Sequence, residues 1–376
     1  MTRQKAKNIK NKKTIIFMAP IPPPYMGPSI ATEVILNSRF VAEFNVIHID
    51  TADRRPLDNI GKVDLTNIYL SLKHYFQLFQ NLLFSNADLV YFLINQTAIG
   101  FFRDFPFVVI SKIARKKVVL HFRGGDFEKF YNNTNIFMKF VIRKTFSRID
   151  RMIILCSALK QFFSGLIAED KISIVPNGLD ISFEKNKNSE TNKKKILFLS
   201  SLRESKGVWQ VLFSVKKVVK FNRDTRFIFA GSWRNENDRI KCEQYIKKEG
   251  LSDYIKFKGF IYGAEKVNLL QEANVFVLPS FSEGHPWVII EAMAAGLPIV
   301  ATDTGCIRES VIDGENGFII SRRDSDSLAD RLIYLVEHPE EIERMGEKSR
   351  EFYKQNFTKG HFVKRMISCI NATLIQ

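Results

Sequence analysis

The chain of 376 residues has only four cysteines, Cys156, Cys242, Cys306 and Cys369, scattered without the spacing of a metal site or a disulfide framework. A zinc module and a small disulfide-stapled fold are therefore excluded, and reduced thiols in a cytoplasmic protein are expected. Long apolar runs are also missing, since none reaches the roughly 18 residues that a membrane-spanning helix needs. The stretch TIIFMAPIPPP, which follows the basic MTRQKAKNIKNKK, imitates a signal peptide only faintly. It is short, runs into prolines and offers no small-residue cleavage site. Residues 1–13 read instead as a basic disordered tail. Acidic residues are scarce, with Asp+Glu at 40 against Lys+Arg at 56, a net charge of +16. The imbalance sits mainly in residues 1–180, which hold 25 basic and 14 acidic residues, against 31 and 26 in the remainder. It clusters at Lys5–Lys13, Arg115–Lys117 and Lys139–Arg151. Such surface suits nucleic acid, an anionic membrane or an anionic ligand, or serves solubility alone. The phenylalanines sit mostly in apolar runs rather than interleaved with arginine, so a stacking surface for nucleic acid is not expected.

What is present is a globular composition, 45% hydrophobic, on a chain long enough for two cores. Apolar strands read at 14–18, 45–49, 89–93, 118–122, 151–155 and 172–175, with helical patterns at 30–42, 69–84, 105–115 and 139–146 between them. From 181 to 195 the pattern breaks into the polar FEKNKNSETNKKK, a linker. A second series follows, with strands at 196–199, 227–230, 255–259, 275–278 and 299–302. Its helices read at 208–221, 238–248, 264–272, from about 287, and at 325–336. No internal repeat is visible. Strands alternating with helices imply parallel sheets covered on both faces. The expected class is α/β, two doubly wound Rossmann-like domains facing a cleft. The first spans 14–180 and the second 196–350, and a helical segment at 351–376 packs back on the first. Ligands on such sheets gather at the carboxyl ends of the strands.

The most informative stretch is PSFSEGHPWVIIEAMAAGLP at 279–298. The apolar run Val275–Leu278 reads as a buried strand, ended by Pro279-Ser280. A loop with Glu283, Gly284, His285 and Pro286 then enters a helix from about Trp287, which Gly296 and Pro298 stop. Helix-start amides attract phosphate or another oxygen-rich anion. Carboxylates at Glu283 and Glu291 accept hydrogen bonds from sugar hydroxyls. Together they suit a nucleotide-sugar.

Several segments in order resemble the retaining glycosyltransferases of family 4, which have the GT-B architecture. These are Val175-Pro176-Asn177-Gly178-Leu179-Asp180, Lys206-Gly207, Phe229-Ala230-Gly231, Lys258-Gly259-Phe260, the stretch 279–298, and Glu309 with DGENGF at 313–318. The match covers most of residues 14–360. The resemblance implies that Glu283, with the amides of Gly284 and His285 beside Pro286, holds donor-sugar hydroxyls, and that Glu291 holds the ribose. It implies that Lys206 neutralises the donor diphosphate as charge builds on the leaving group, and that backbone at Gly259, Phe260 and Ile261 holds the base. His121, before Phe122-Arg123-Gly124-Gly125-Asp126, matches the histidine that reaches the donor sugar. Gly27 would let backbone approach the diphosphate or acceptor closely. The chain departs from the family where Ser200-Ser201-Leu202 stands for the usual Gly-Arg-Leu, and Arg203 is the nearby cation that could replace the arginine. Gly27-Pro28 and Gly305-Cys306 likewise stand for glycine pairs.

The implied chemistry uses neither an enzyme nucleophile nor a metal, and no Asp-x-Asp precedes a fitting strand, Asp324-x-Asp326 capping a helix instead. No cofactor is expected, and no catalytic base of the glycosidase kind. Plainer roles stay open beside these: a strand-end histidine for His121, a helix cap for Glu283, a solvated lysine for Lys206. Arg123 and Asp126 either touch the acceptor or only shape their turn. The expected activity is transfer of a sugar from a nucleotide-sugar to a glycan or lipid-linked acceptor with retention, in surface polysaccharide, lipopolysaccharide or glycolipid synthesis. A nucleotide-sugar 2-epimerase of the same architecture is the alternative. The basic and apolar residues at 137–151 fit an anionic bilayer, on the inner face of the cytoplasmic membrane, as well as they fit a packed helix with a solvated basic face.

Overall fold

Among the described residues, 12–55, 64–183 and 194–375 of the computed structural model, twelve strands form two six-stranded sheets in which every neighbour is parallel. The tail read at 1–13 lies outside these residues up to 11, and the linker read at 181–195 lies outside them from 184 to 193. Contacts divide the chain into a first unit, 1–177 with 359–376, and a second unit, 178–358.

The first unit runs β1 (Thr14–Met18), α1 (Gly27–Leu36), α2 (Phe40–Glu43), β2 (Asn45–Ile49), α3 (Leu65–Phe84), β3 (Leu89–Ile94), α4 (Ala98–Ile113), β4 (Lys117–Phe122), α5 (Phe127–Asn133), α6 (Ile136–Phe146), β5 (Arg151–Ile154) and β6 (Ile172–Ile174), in sheet order β2-β1-β3-β4-β5-β6. The second runs β7 (Lys195–Leu199), α7 (Val208–Phe221), β8 (Arg226–Ala230), α8 (Glu236–Lys248), β9 (Ile255–Gly259), α9 (Gly263–Glu272), β10 (Val275–Leu278), α10 (Trp287–Ala295), β11 (Ile299–Thr302), β12 (Gly317–Ile320), α11 (Ser325–Glu337) and α12 (Pro339–Asn356), in order β12-β11-β10-β7-β8-β9. A last helix, α13 (Lys359–Ile375), belongs to the first unit and packs on α2 and β4.

Sheets covered on both faces need strands that are apolar throughout rather than alternating. β1 (TIIFM) and β10 (VFVL) are buried at every residue. In the first unit the rings of Phe122, Phe127 and Phe163 close around the turn at 123–126, with centroids 5.5 Å apart for Phe122–Phe127 and 4.7 Å for Phe127–Phe163. That aromatic packing fixes both ends of the Arg-Gly-Gly-Asp loop.

The differences from the sequence reading have local causes. The helix read at 30–42 is two, α1 and α2, divided at Asn37–Arg39, and Gly27 begins α1 rather than lying in the preceding loop. α4 starts at Ala98, well before 105, because the Thr97 hydroxyl accepts from the amide of Gly100 (3.2 Å) and Pro106 sits inside the helix. β12 is four residues at a sheet edge, too short for a pattern. Half of α12 is charged, with only Met345, Gly346, Ser349 and Tyr353 buried, and it runs unbroken past residue 351. Asp324 does cap α11, accepting from the Ser327 amide at 2.8 Å, and that bond holds its carboxyl below the usual range. Cys242 and Cys369 are free and buried. Cys156 and Cys306 are each disulfide-bonded, against the expectation of four reduced thiols. No helix among the described residues is long and apolar enough to cross a membrane.

Candidate active site

The second sheet reverses its strand order between β7 and β10, since β8 and β9 lie to one side and β11 and β12 to the other. Loops leaving the carboxyl ends of two such strands diverge and open a crevice. Here they are residues 200–207 and 279–286, and they are tied together. The Phe281 amide donates to the Ser205 carbonyl at 2.9 Å, and the Ser280 hydroxyl donates to the same carbonyl at 3.2 Å. Gly207 has φ +80°, and a Cβ there would lie 2.1 Å from the carbonyl oxygen of Pro279. Only glycine permits that approach.

On this frame Lys206 Nζ meets Glu283 Oε1 at 2.6 Å, with the side chains 16% and 10% exposed. The Glu283–Gly284 backbone rests on the next loop. Gly305 has φ +56°, a Cβ there would lie 2.1 Å from the Glu283 oxygen and 2.5 Å from that of Gly284, and the Cys306 amide donates to Gly284 at 2.8 Å. One turn into α10, Glu291 Oε1 accepts from Lys266 Nζ at 2.6 Å. Its other oxygen, Oε2, is buried and has no hydrogen-bond partner. An ionised carboxylate has about four acceptor positions, so Oε2 is an open acceptor in a dry place. The side chain of His285 is turned inward, Nε2 lying 2.9 Å from the Ser310 hydroxyl. Pro286 is the residue that caps α10.

Beyond β7, Leu202 pairs with Trp233 in a parallel bridge, and the Leu202 amide donates to the Ser232 carbonyl at 2.9 Å. Arg203 and Arg234 thus leave their loops side by side. Arg203 Nε is buried without a partner. Burial, and then the Arg234 charge, pull its guanidinium below the usual value, and Glu283 acts in the opposite sense. Sequence reasoning missed Arg234. Its signal was position, three residues past Gly231 at the end of β8. Of the three residues expected to hold the base, Phe260 is 59% exposed while Ile261 is buried, and Gly259 accepts from the Gly231 amide at 2.7 Å.

In the first unit the fold brings His121 and Arg123 together. His121 is fully buried, its Nδ1 2.7 Å from the Tyr91 hydroxyl and its Nε2 3.3 Å from Arg123 Nη1. A guanidinium cannot accept, so Nε2 takes its hydrogen and Nδ1–H donates to Tyr91. Arg123 also donates to Asn177 Oδ1. Burial pulls Arg123 down to about 10. Asp126 is exposed and its side chain makes no cap bond, while its amide donates to Gln96 Oε1 at 3.1 Å. Gly27 lies on the first turn of α1 rather than in the loop read for it.

Burial first, and then the Arg123 charge, hold the His121 ring well below the ordinary histidine value. The unfolded chain takes up a proton near pH 6.5 that the folded chain declines. Stability is therefore full above that pH and is lost as pH falls toward the folded value. The melting temperature is expected to drop from pH 7.5 to 5.5, and His121→Gln should make the drop shallower. His74, also depressed by burial, supplies part of the remaining slope.

Residues 180–352, nearly the whole second unit, match the family of glycosyl transferases group 1. Over those residues the chain is similar to that family. A trehalose synthase of Pyrococcus horikoshii is 26% identical to the chain over 250 residues, 61% of this chain and 59% of its own length. The capsular polysaccharide biosynthesis glycosyltransferase CapM of Staphylococcus aureus is 26% identical over 225 residues, 56% of this chain and 58% of its own. The chain thus spans less than two thirds of the length of these relatives. In three dimensions, Anabaena HepE solved in complex with UDP-glucose is similar with a TM-score of 0.74 at 19% identity, covering 96% of this chain and 99% of that one. At that identity the likeness speaks for the fold alone, which is the GT-B architecture.

Proposed function

We propose that the chain is a glycosyltransferase that moves a sugar from a nucleotide-sugar donor to a glycan or lipid-linked acceptor, with retention, in surface polysaccharide or glycolipid synthesis. One observation carries this reading: a lysine and a glutamate 2.6 Å apart at the reversal point of the second sheet. A cation there meets the charge that develops on a leaving diphosphate, and a placed cation of this kind acts on the transition state more than on the ground state. Glu283 accepts hydrogen bonds from sugar hydroxyls, and the open Oε2 of Glu291 accepts from the ribose. Arg203 and Arg234 stand in for the family's missing arginine. His121, neutral and with both ring nitrogens engaged by Tyr91 and Arg123, positions Arg123 and does not act as a base. The relatives' names, trehalose synthase and capsular polysaccharide biosynthesis glycosyltransferase, support a role in glycan synthesis. Lys206 and the arginines supply the positive charge, so no metal is needed in this reading.

The test is a thermal-shift panel of UDP-, GDP-, ADP- and CMP-sugars. A cognate donor at a hundred times its dissociation constant adds about 2.7 kcal/mol. The expected result is one responding nucleotide, a response lost in Glu283→Ala, and a transfer rate unchanged by EDTA. Epimerised donor as the sole product, with no acceptor glycosylated, would assign the site to the epimerase instead.

A further inference from the structure

Three neighbouring helices of the first unit expose apolar side chains in a pattern that solubility does not call for. On α3 the residues Leu65, Ile68, Leu72, Phe76, Phe79 and Leu83 recur at helical spacing along the whole length, each 49–85% exposed. His74, Leu78 and Leu82 carry the buried side of the same helix. With twenty residues, α3 lays this stripe over about 30 Å. α4 lies against α3, the Tyr75 hydroxyl donating to the Arg103 carbonyl at 2.6 Å, and exposes Ile99 and Phe102. α6 follows, its Phe137 stacked with Phe102 at 6.1 Å, and it exposes Ile136 and Phe140 as well. The stripe is thus part of a wider apolar face.

Charge identifies what covers it. The three helices hold the basic residues Lys73, Arg103, Lys139, Arg143 and Lys144, and a Lys112 that is paired with Asp150, against one acid of their own, Asp104. Asp104 is 2% exposed and turned inward, accepting from Asn95 and Arg103. A second copy of this chain would bring the same positive face against itself. An anionic bilayer accepts both features at once, apolar side chains at the headgroup boundary and basic ones on lipid phosphate. We propose that the α3–α4–α6 face docks the chain on an anionic lipid bilayer. α3, rather than the basic 137–151 segment, supplies most of the apolar contact.

The experiment is vesicle flotation of the full chain, on phosphatidylcholine alone and on phosphatidylcholine doped with phosphatidylglycerol. The expected result is binding that depends on phosphatidylglycerol and weakens with salt. The pair Phe76→Asp and Phe79→Asp should lower partitioning by about tenfold or more. Arg143→Glu with Lys144→Glu should lower it by roughly fivefold per residue at low salt. Melting temperatures should stay close to wild type, because the replaced side chains face solvent, and either variant alone suffices if the other misfolds. Failure to bind phosphatidylglycerol vesicles, or equal binding to both vesicle types, overturns the proposal. So does a wild-type dimer that the aspartate pair splits in sedimentation while vesicle binding is unchanged. No sugar nucleotide enters the assay, so its outcome is separate from that of the transferase reading.

Discussion

Glu283→Ala is expected to remove donor binding and to lower transfer by about 10–10²-fold, the loss of hydrogen bonds between a charged acceptor and the sugar hydroxyls. The same substitution should also destabilise the protein, because it strands a mostly buried ammonium. Its side chain keeps 16% exposure, so water recovers part of the loss. We therefore expect roughly 2–3 kcal/mol, below the range for a fully buried pair. These two effects can be separated. The double variant Lys206→Met, Glu283→Leu leaves no orphaned charge, so most of the stability should return while donor binding stays absent. Denaturant midpoints and the nucleotide-sugar thermal shift, measured on both variants, decide it. A double variant as unstable as the single one would mean that the loss comes from disturbed loop packing. A Glu283→Ala protein that still shifts with the cognate donor would remove Glu283 from the site.

Much of this arrangement could be read from residue order because the chemistry is local. The strand, loop and helix around Glu283 and Glu291 announce themselves through an apolar run, a Pro-Ser stop and a Gly-x-Pro end between residues 275 and 298. Strands buried on both faces, such as β1 and β10, are equally legible, since nothing but continuous apolar sequence fits there. Other features needed the fold. Arg234 is far from Arg203 in sequence, and only the pairing of Leu202 with Trp233 brings them side by side. Lys266, the partner of Glu291, lies 25 residues away on a different helix. The α3 stripe was read as a helix at 69–84, but periodicity cannot say which of two apolar sides is packed. Gly27 misled because a glycine and a proline after a strand suggest a turn, whereas proline is also well suited to the first turn of a helix.

Gly207→Ala tests whether the two loops act as one frame. Two costs add at this residue. An alanine at φ +80° pays the left-handed penalty, about 1–2 kcal/mol. Its Cβ would also lie 2.1 Å from the Pro279 oxygen, a backbone atom that cannot step aside without moving the loop that carries Glu283. The expected loss of stability is about 3 kcal/mol or more, with the donor-induced thermal shift abolished. Gly314→Ala is the control, because its φ is +78° while its Cβ would meet nothing within 4 Å. That variant should lose only the conformational part, about 1–2 kcal/mol, and should keep its response to donor. The difference between the two alanines isolates the contact between the loop after β7 and the loop after β10. Equal stability losses in both variants, with donor response intact, would mean that Lys206 and Glu283 are not held in register by Gly207.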